Sequence, residues 1–450
     1  MVCRILAYLL LVVSFPAIAQ TERHRILVST DIGGTDPDDN QSMIHLLMYA
    51  NEFDIEGLVS SPSFGEGSAE EILRMIDKYE TDRPALVKGL ALSGRPGTFP
   101  TAEALRAVTR QGRKGAAPLK GYDKPTPGSE WIVECAGRDS DRPLWVLVWG
   151  ALEDVAQALH DAPDIAPRIR VYWIGGPNKK WGCNAYDYIA RNFPDLWFIE
   201  CNASYRGFIG KQKDPSPYEA AYWPTFMKGA GVMGDDFKNY YDGIVKMGDT
   251  PSLLYLMSGD PDDPGSGHWG GRFEPMSASP KYIIGGAMTH TDTVPVYSLM
   301  EWRLKGPDSD LPSDSACFTL KVDRQEWPGY HVGDGVYVVR YAPKAPAVLE
   351  YEITSPLKDF PCHKGVFTVG QEWPAVERYA VTNPVVRTEP IKVNRKKWFT
   401  DCSDASLMDG VSDYEDYMDV NGKWQGAATV ARWREDVLKD WARRFEWLGK

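Results

Sequence analysis

Between residues 25 and 199 the sequence alternates short apolar runs with segments of helical periodicity, and few architectures accept that pattern. Residues 25–29, 55–59, 144–148, 169–174 and 196–199 read as buried strands. Segments 69–79, 152–159 and 186–191 read as the helices between them. A further helix follows the first strand, with Asp39 or Asn40 as its N-cap and Met43, Leu46, Leu47 and Ala50 on one face. Strands alternating with helices at this spacing predict an α/β fold, a mostly parallel sheet flanked by helices on both faces. Near residue 280 the pattern changes. Residues 282–393 hold short β-rich runs such as 317–322 and 335–340, separated by Pro- and Gly-rich turns, which predicts a smaller antiparallel β-rich module. Helical spacing returns at 429–448, with Trp433, Val437, Trp441, Phe445 and Leu448 near one stripe. The expected division is therefore 20–280 for the α/β domain, 281–395 for the β-rich module, and 396–450 for a C-terminal segment packing back on the α/β domain.

Ahead of all this, Arg4, the apolar run 5–13 and the small residues Ala17 and Ala19 form the pattern of a cleaved signal peptide over residues 1–19. The expected location is secreted or periplasmic. Export would leave Cys135, Cys183, Cys201, Cys317, Cys362 and Cys402 in an oxidising compartment. Their spacing assigns no partners, and with no close CxxC pair it opposes a zinc site. A net charge of −12 disfavours a nucleic acid polymer or an anionic membrane as partner. The 16 Trp, 22 Tyr and 15 Phe supply aromatic surface for a core or for stacking on sugars.

Chemistry concentrates in the loop after the first strand, Ser29-Thr-Asp-Ile-Gly-Gly-Thr-Asp-Pro-Asp-Asp-Asn40. Open α/β sheets place ligands at the carboxyl ends of their strands. Asp31, Asp36, Asp38 and Asp39 repel one another there unless protons or a cation compensate. Hard oxygen donors on a loop suit Ca²⁺. A helix-capping, solvated acidic loop is the alternative. The letters Asp-Ile-Gly-Gly-Thr also resemble a sugar-kinase phosphate loop, but a capped helix follows where that loop needs a hairpin.

The wider pattern resembles the nucleoside hydrolases, and within them the exported nucleoside hydrolase-like family typified by a cellulose-binding protein. The resemblance rests on the Thr-Asp-x-Gly-Gly…Asp-Pro-Asp-Asp loop, on Asn-Glu-Phe-Asp-Ile-Glu-Gly at 51–57, on 149–156 and 173–178, and on 248–255 with 269–274. It covers residues 25–274 and resumes near Thr429. It implies Asp31 as general base and metal ligand, Asp39 as a calcium ligand, the Trp149 carbonyl and Asp249 as further metal ligands, and Asp38 and Asn184 as substrate-binding residues. It also implies a sugar-containing or nucleoside substrate whose N- or O-glycosidic bond is hydrolysed, with Ca²⁺ as cofactor and Asp31 deprotonating a metal-bound water. The departures are Ser29 where the nucleoside hydrolases carry an Asp, a longer turn between Asp31 and Asp38, and Ser61-Pro-Ser63 in place of a Gly-Asn. They imply an altered sugar site.

A carbohydrate-binding protein without turnover is the competing expectation, with Trp149, Trp173, Trp181, Trp223 and Trp269 as stacking platforms. No leaving-group acid is evident: His45 reads as helix surface or core, which leaves His268 and His290 as candidates. Association of identical copies is left open.

Overall fold

The computed structural model describes residues 23–210, 216–371, 382–407 and 424–449. The expected signal peptide lies outside the described residues. Among those described, no helix is long and apolar enough to cross a membrane.

Seven strands open the chain: β1 (His24–Thr30), β2 (Phe53–Ser60), β3 (Thr109–Gln111), β4 (Leu144–Val148), β5 (Ile169–Ile174), β6 (Trp197–Cys201) and β7 (Phe273–Pro275). With β19 (Trp398–Asp401) they form one sheet in the order β3-β2-β1-β4-β5-β6-β19-β7. All its pairings are parallel except that of β7 on the edge. β1 and β4–β6 are almost wholly buried around apolar centres, as strands covered on both faces must be. β19 escapes the sequence pattern because its four residues return to the sheet from nearly 200 positions downstream of β6. The mostly parallel, helix-flanked sheet is thus the predicted α/β fold.

The β-rich region begins with β8 (Ala278–Ser279), β9 (Lys281–Ile284), β10 (Thr293–Pro295) and β11 (Leu299–Lys305). It continues through β12 (Ala316–Val322), β13 (Gln325–His331), β14 (Val336–Tyr341), β15 (Ala347–Thr354) and β16 (His363–Gly370), and ends in β17 (Val386–Thr388) and β18 (Ile391–Lys392). Nine of these make a second sheet, ordered β10-β16-β15-β12-β13-β14-β11-β9-β17, while β8 and β18 pair separately. Most of its pairings are antiparallel, but β9 runs parallel to β11 and β10 to β16.

The second sheet is packed hard against the first. One apolar core runs from Leu27, Val146 and Trp173 through Tyr282, Trp302 and Phe367 without a break. A buried ion network crosses the same junction. Lys281 binds Asp187 at 2.8 Å and Glu301 at 2.7 Å, and Arg340 binds Asp187 at 3.0 Å and Glu301 at 2.8 Å. The cations hold Glu301 down to about 2, against the opposing cost of burial.

The C-terminal helix Ala428–Phe445 packs on the other face of the first sheet. Its Val437, Leu438, Trp441 and Phe445 share a core with Met43, Leu47, Tyr222 and Phe237. Opposite it lies the helix Asp38–Met48, buried on nearly all sides. Its N-cap position is Pro37, with no side-chain cap, rather than Asp39 or Asn40 as expected. The Asp39 carboxylate instead accepts a hydrogen bond from the Thr30 hydroxyl, which turns it away from the helix's own N–H groups.

His45 on that helix is fully buried, with Tyr49 at 4.7 Å and Trp441 at 5.1 Å between ring centroids. Burial, assisted by Arg444 and opposed by Asp440, lowers its pKa to about 3. An unfolded histidine titrates near 6.5. Between those values the unfolded chain binds a proton that the folded chain refuses, so this residue's contribution to stability falls as pH drops, by about 1.4 kcal/mol per unit. Urea midpoints measured from pH 6.5 to 4 should therefore decline less steeply in His45→Phe than in the parent protein. Equal slopes would rule His45 out as a source of acid sensitivity.

Candidate metal and sugar site

Strand order reverses at β1, whose neighbours β2 and β4 lead the chain off in opposite directions. A crevice forms at the carboxyl edge of a parallel sheet at such a point. Asp31 follows β1 there, Ser61-Pro-Ser63 follows β2, and Trp149 follows β4. These segments come so close that a Cβ on Gly150 would lie 2.6 Å from the Ser61 hydroxyl and 3.0 Å from the Asp31 Cβ. Gly150 is the residue that permits the approach.

Asp38, Asp39 and Asp249 each bring a carboxylate oxygen to one point, all within 4.8 Å of one another. Asp39 and Asp249 are buried, while Asp31 and Asp38 are half-buried at the crevice floor. Loss of water pushes the carboxyl groups of Asp38, Asp39 and Asp249 well up, and their mutual repulsion adds to it. Asp31 is pushed up to about 6 by the same loss of water, moderated by hydrogen bonds to Asp39 and Ser63. The Asp249 Oδ2 is buried with no hydrogen-bond partner among the described residues. Lys246 supplies the local positive charge, 2.5 Å from Asp36 and 4.0 Å from Asp38.

A second set of bonds holds this floor. The Trp149 indole N–H donates to the Ser252 hydroxyl at 2.8 Å, and that hydroxyl donates to the Asp249 carbonyl at 2.7 Å. The end of β4 thereby fixes the turn that presents Asp249, just ahead of the helix Thr250–Met257. Asn178, after β5, donates to the Trp149 carbonyl at 3.1 Å and accepts from the Ser63 hydroxyl at 2.6 Å. Ser63 thus stands between Asn178 and Asp31.

The crevice opens into a cleft of about 880 Å³ whose opposite wall comes from the second sheet, through Asp323, Arg324, Tyr341 and Lys344. The buried Lys180 spans the junction to Asp323 at 2.5 Å.

With that geometry in place, the family described as "Cellulose-binding Sde182, nucleoside hydrolase-like domain" matches residues 25–273, more than half of the chain. The chain belongs to this nucleoside hydrolase-like family. Within the β-rich region, residues 293–356 match a family described only as a domain of unknown function, DUF5060. Among solved structures, the nucleoside hydrolase-like chain is similar to a nucleoside hydrolase-related hypothetical protein from Saccharophagus degradans that is associated with carbohydrate metabolism. Identity is 18%, coverage 78% of this chain and 100% of that one, and TM-score 0.47. An inosine-guanosine nucleoside hydrolase is 11% identical, over 54% of this chain and 81% of its own, with a TM-score of 0.34. No curated protein matches.

Of the residues singled out in the sequence, Asp31, Asp38, Asp39, Asp249 and Trp149 all line this cleft. The meeting point of donors is Asp38, Asp39 and Asp249, with Asp31 beside them. Asn184 does not reach it. Its amide donates to the Ala117 carbonyl at 3.0 Å and accepts from Arg340 at 3.1 Å, so it serves the junction between the sheets. Asn178 does line the cleft, its amide bonded to the Trp149 and Ile174 carbonyls. Trp149 and Trp173 are fully buried and offer no stacking face, and Trp269 lines a different hollow beside Tyr49 and Arg95. Trp181 does line the cleft, against Phe64, which is 56% exposed. His268 is buried among the carbonyls of Ser258 and Asp263, and His290 is exposed away from the cleft. Among the described residues the six cysteines from Cys135 to Cys402 form no disulfide, and of the six only Cys362 is exposed.

The donor set is all oxygen, two of its three carboxylates are buried, and one oxygen lacks a partner, which together fit a hard divalent cation. Metal analysis of the purified protein should find about one divalent ion per chain, lost in Asp39→Ala and in Asp249→Ala. Retention in both variants would place the ion elsewhere.

Proposed function

We propose that this protein hydrolyses a glycosidic bond, N- or O-linked, in a sugar-containing substrate bound in the cleft, with Ca²⁺ as cofactor. The observation that carries the reading is the convergence of Asp38, Asp39 and Asp249 beside Asp31, with an unpartnered oxygen on Asp249. Carboxylates crowded at a desolvated floor cost stability unless a cation offsets their charge, and a cation beside Asp31 has a base within reach of any water it acidifies.

A cation would be held by Asp38, Asp39 and Asp249, joined by the Trp149 carbonyl, and would supply charge to orient sugar hydroxyls and to acidify a water. The protein's own residues do the rest. Asp31 stands at the rigid end of β1 and accepts the proton of the attacking water. Its carboxylate lies beside Asp39 and Ser63 on the floor. Asn178 and Ser63 brace the opposite side of the crevice, where the missing Gly-Asn is replaced. The carboxylates of the floor face the anomeric carbon as positive charge develops on the ring.

Carbohydrate binding without turnover is the second reading. The pair of Phe64 and Trp181, 4.8 Å between centroids at the cleft, favours it, as does the cellulose-binding description of the family. A secreted or periplasmic location suits either reading.

Asp31→Asn keeps the shape and removes the proton acceptor. Hydrolysis of a panel of aryl glycosides and nucleosides should fall by ~10²-fold or more, the scale of general base catalysis, with sugar binding kept. Undiminished turnover would exclude Asp31 as the base. A parent protein that binds sugars and cleaves none of the panel would establish the second reading instead.

A further inference from the structure

The cleft wall furthest from the carboxylates contains a hairpin tip that neither reading uses. Val322 of β12 pairs with Gln325 of β13, so Asp323 and Arg324 make up the whole turn. Both have left-handed backbones, with φ of 50° and 60°. This is the turn type that Asn-Gly ordinarily supplies, and side chains larger than these pay for entering it. A tip of this kind persists where its surroundings hold it. Here Lys180 grips Asp323, and Trp181 stacks on Trp327 of the same hairpin at 5.5 Å and 27°. The tip is therefore clamped to the α/β domain at the edge of the cleft.

The clamp has an electrostatic consequence. Lys180 neutralises Asp323, whereas Arg324 lines the cleft and makes no hydrogen bond or ion pair among the described residues. Lys344 lines the same wall. The floor thus carries more carboxylates than Lys246 offsets, while Arg324 and Lys344 put positive charge on the facing wall. At about 880 Å³ it is large for one sugar ring, since sites for whole drug-sized ligands span about 300–1,000 Å³. An anionic substituent on the ligand is repelled by the floor and accepted by the wall. A guanidinium fork matches a carboxylate or a sulfate with two parallel hydrogen bonds.

Building on the sugar-cleft reading, we propose that Arg324 is a specificity-determining residue that selects a carbohydrate carrying an anionic group, a uronate carboxylate or a sulfate ester, on the part directed toward the β-rich module. The neutral part of the ligand lies over the acidic floor.

Calorimetric titration of the full-length protein with three tetrasaccharides tests this: a galacturonate, a sulfated galactan and a neutral galactan. At least one acidic ligand should bind ~10-fold or more tightly than the neutral one, and which one identifies the anion. Arg324→Gln should abolish that preference with neutral binding unchanged, and Arg324→Glu should reverse it. Arg324 is exposed, so both variants should keep the parent's thermal midpoint. Equal binding of the three ligands, no binding of any, or a preference that survives Arg324→Gln would overturn the proposal. Asp31→Asn, titrated in parallel, should retain the preference. An acidic preference in a protein that hydrolyses nothing would leave this inference standing and remove the hydrolase reading.

Discussion

Everything at the site depends on the reversal of winding about β1. A parallel sheet that ran in one direction would carry its connections past the strand ends and close them over. Because β2 and β4 leave β1 on opposite sides, the loops after these strands diverge and leave a floor between them. Asp31 and Trp149 stand at that floor because each directly follows its strand. The close approach at Gly150 shows how little slack the arrangement has.

Gathering carboxylates at such a place works against folding. Desolvation raises the pKa of each, and repulsion from neighbouring carboxylates adds to it. The fold tolerates this by partial compensation: Lys246 stands against Asp36 and Asp38, and the Thr30 hydroxyl donates to Asp39. Asp249 has no such relief on its Oδ2. The rest of the surroundings is built to keep the group together, with Trp149 and Ser252 bracing Asp249, and Ser63 and Asn178 bracing Asp31. A cluster held together against its own repulsion is more readily explained by function than by stability.

The β-rich module shapes the same site from across the cleft. A continuous apolar core and the network of Asp187, Lys281, Glu301 and Arg340 fix its sheet on the first one. Buried ion pairs of this kind add little net stability, but they set registry, since any shift leaves a charge unpaired. That registry is what lets the tip at Asp323 and Arg324 meet Lys180 at a defined edge of the cleft.

The alternation of apolar runs and helical segments was enough to reveal the parallel sheet, since strands buried on both faces and their crossover helices each have their own period. The acidic loop after β1 was legible for the same local reason, with four aspartates within nine residues beside a strand end. Asp249 was reached only through family resemblance, and Asn184 by the same route proved to face the junction of the sheets instead. Tertiary structure decided what local pattern does not encode. β19 joins the first sheet from far along the chain, Asn178 and Ser63 meet across two loops, and Asp323 and Arg324 enter the cleft from another sheet. Periodicity reports which face of an element is buried, whereas these contacts depend on which elements are neighbours. Packing of the whole chain determines that.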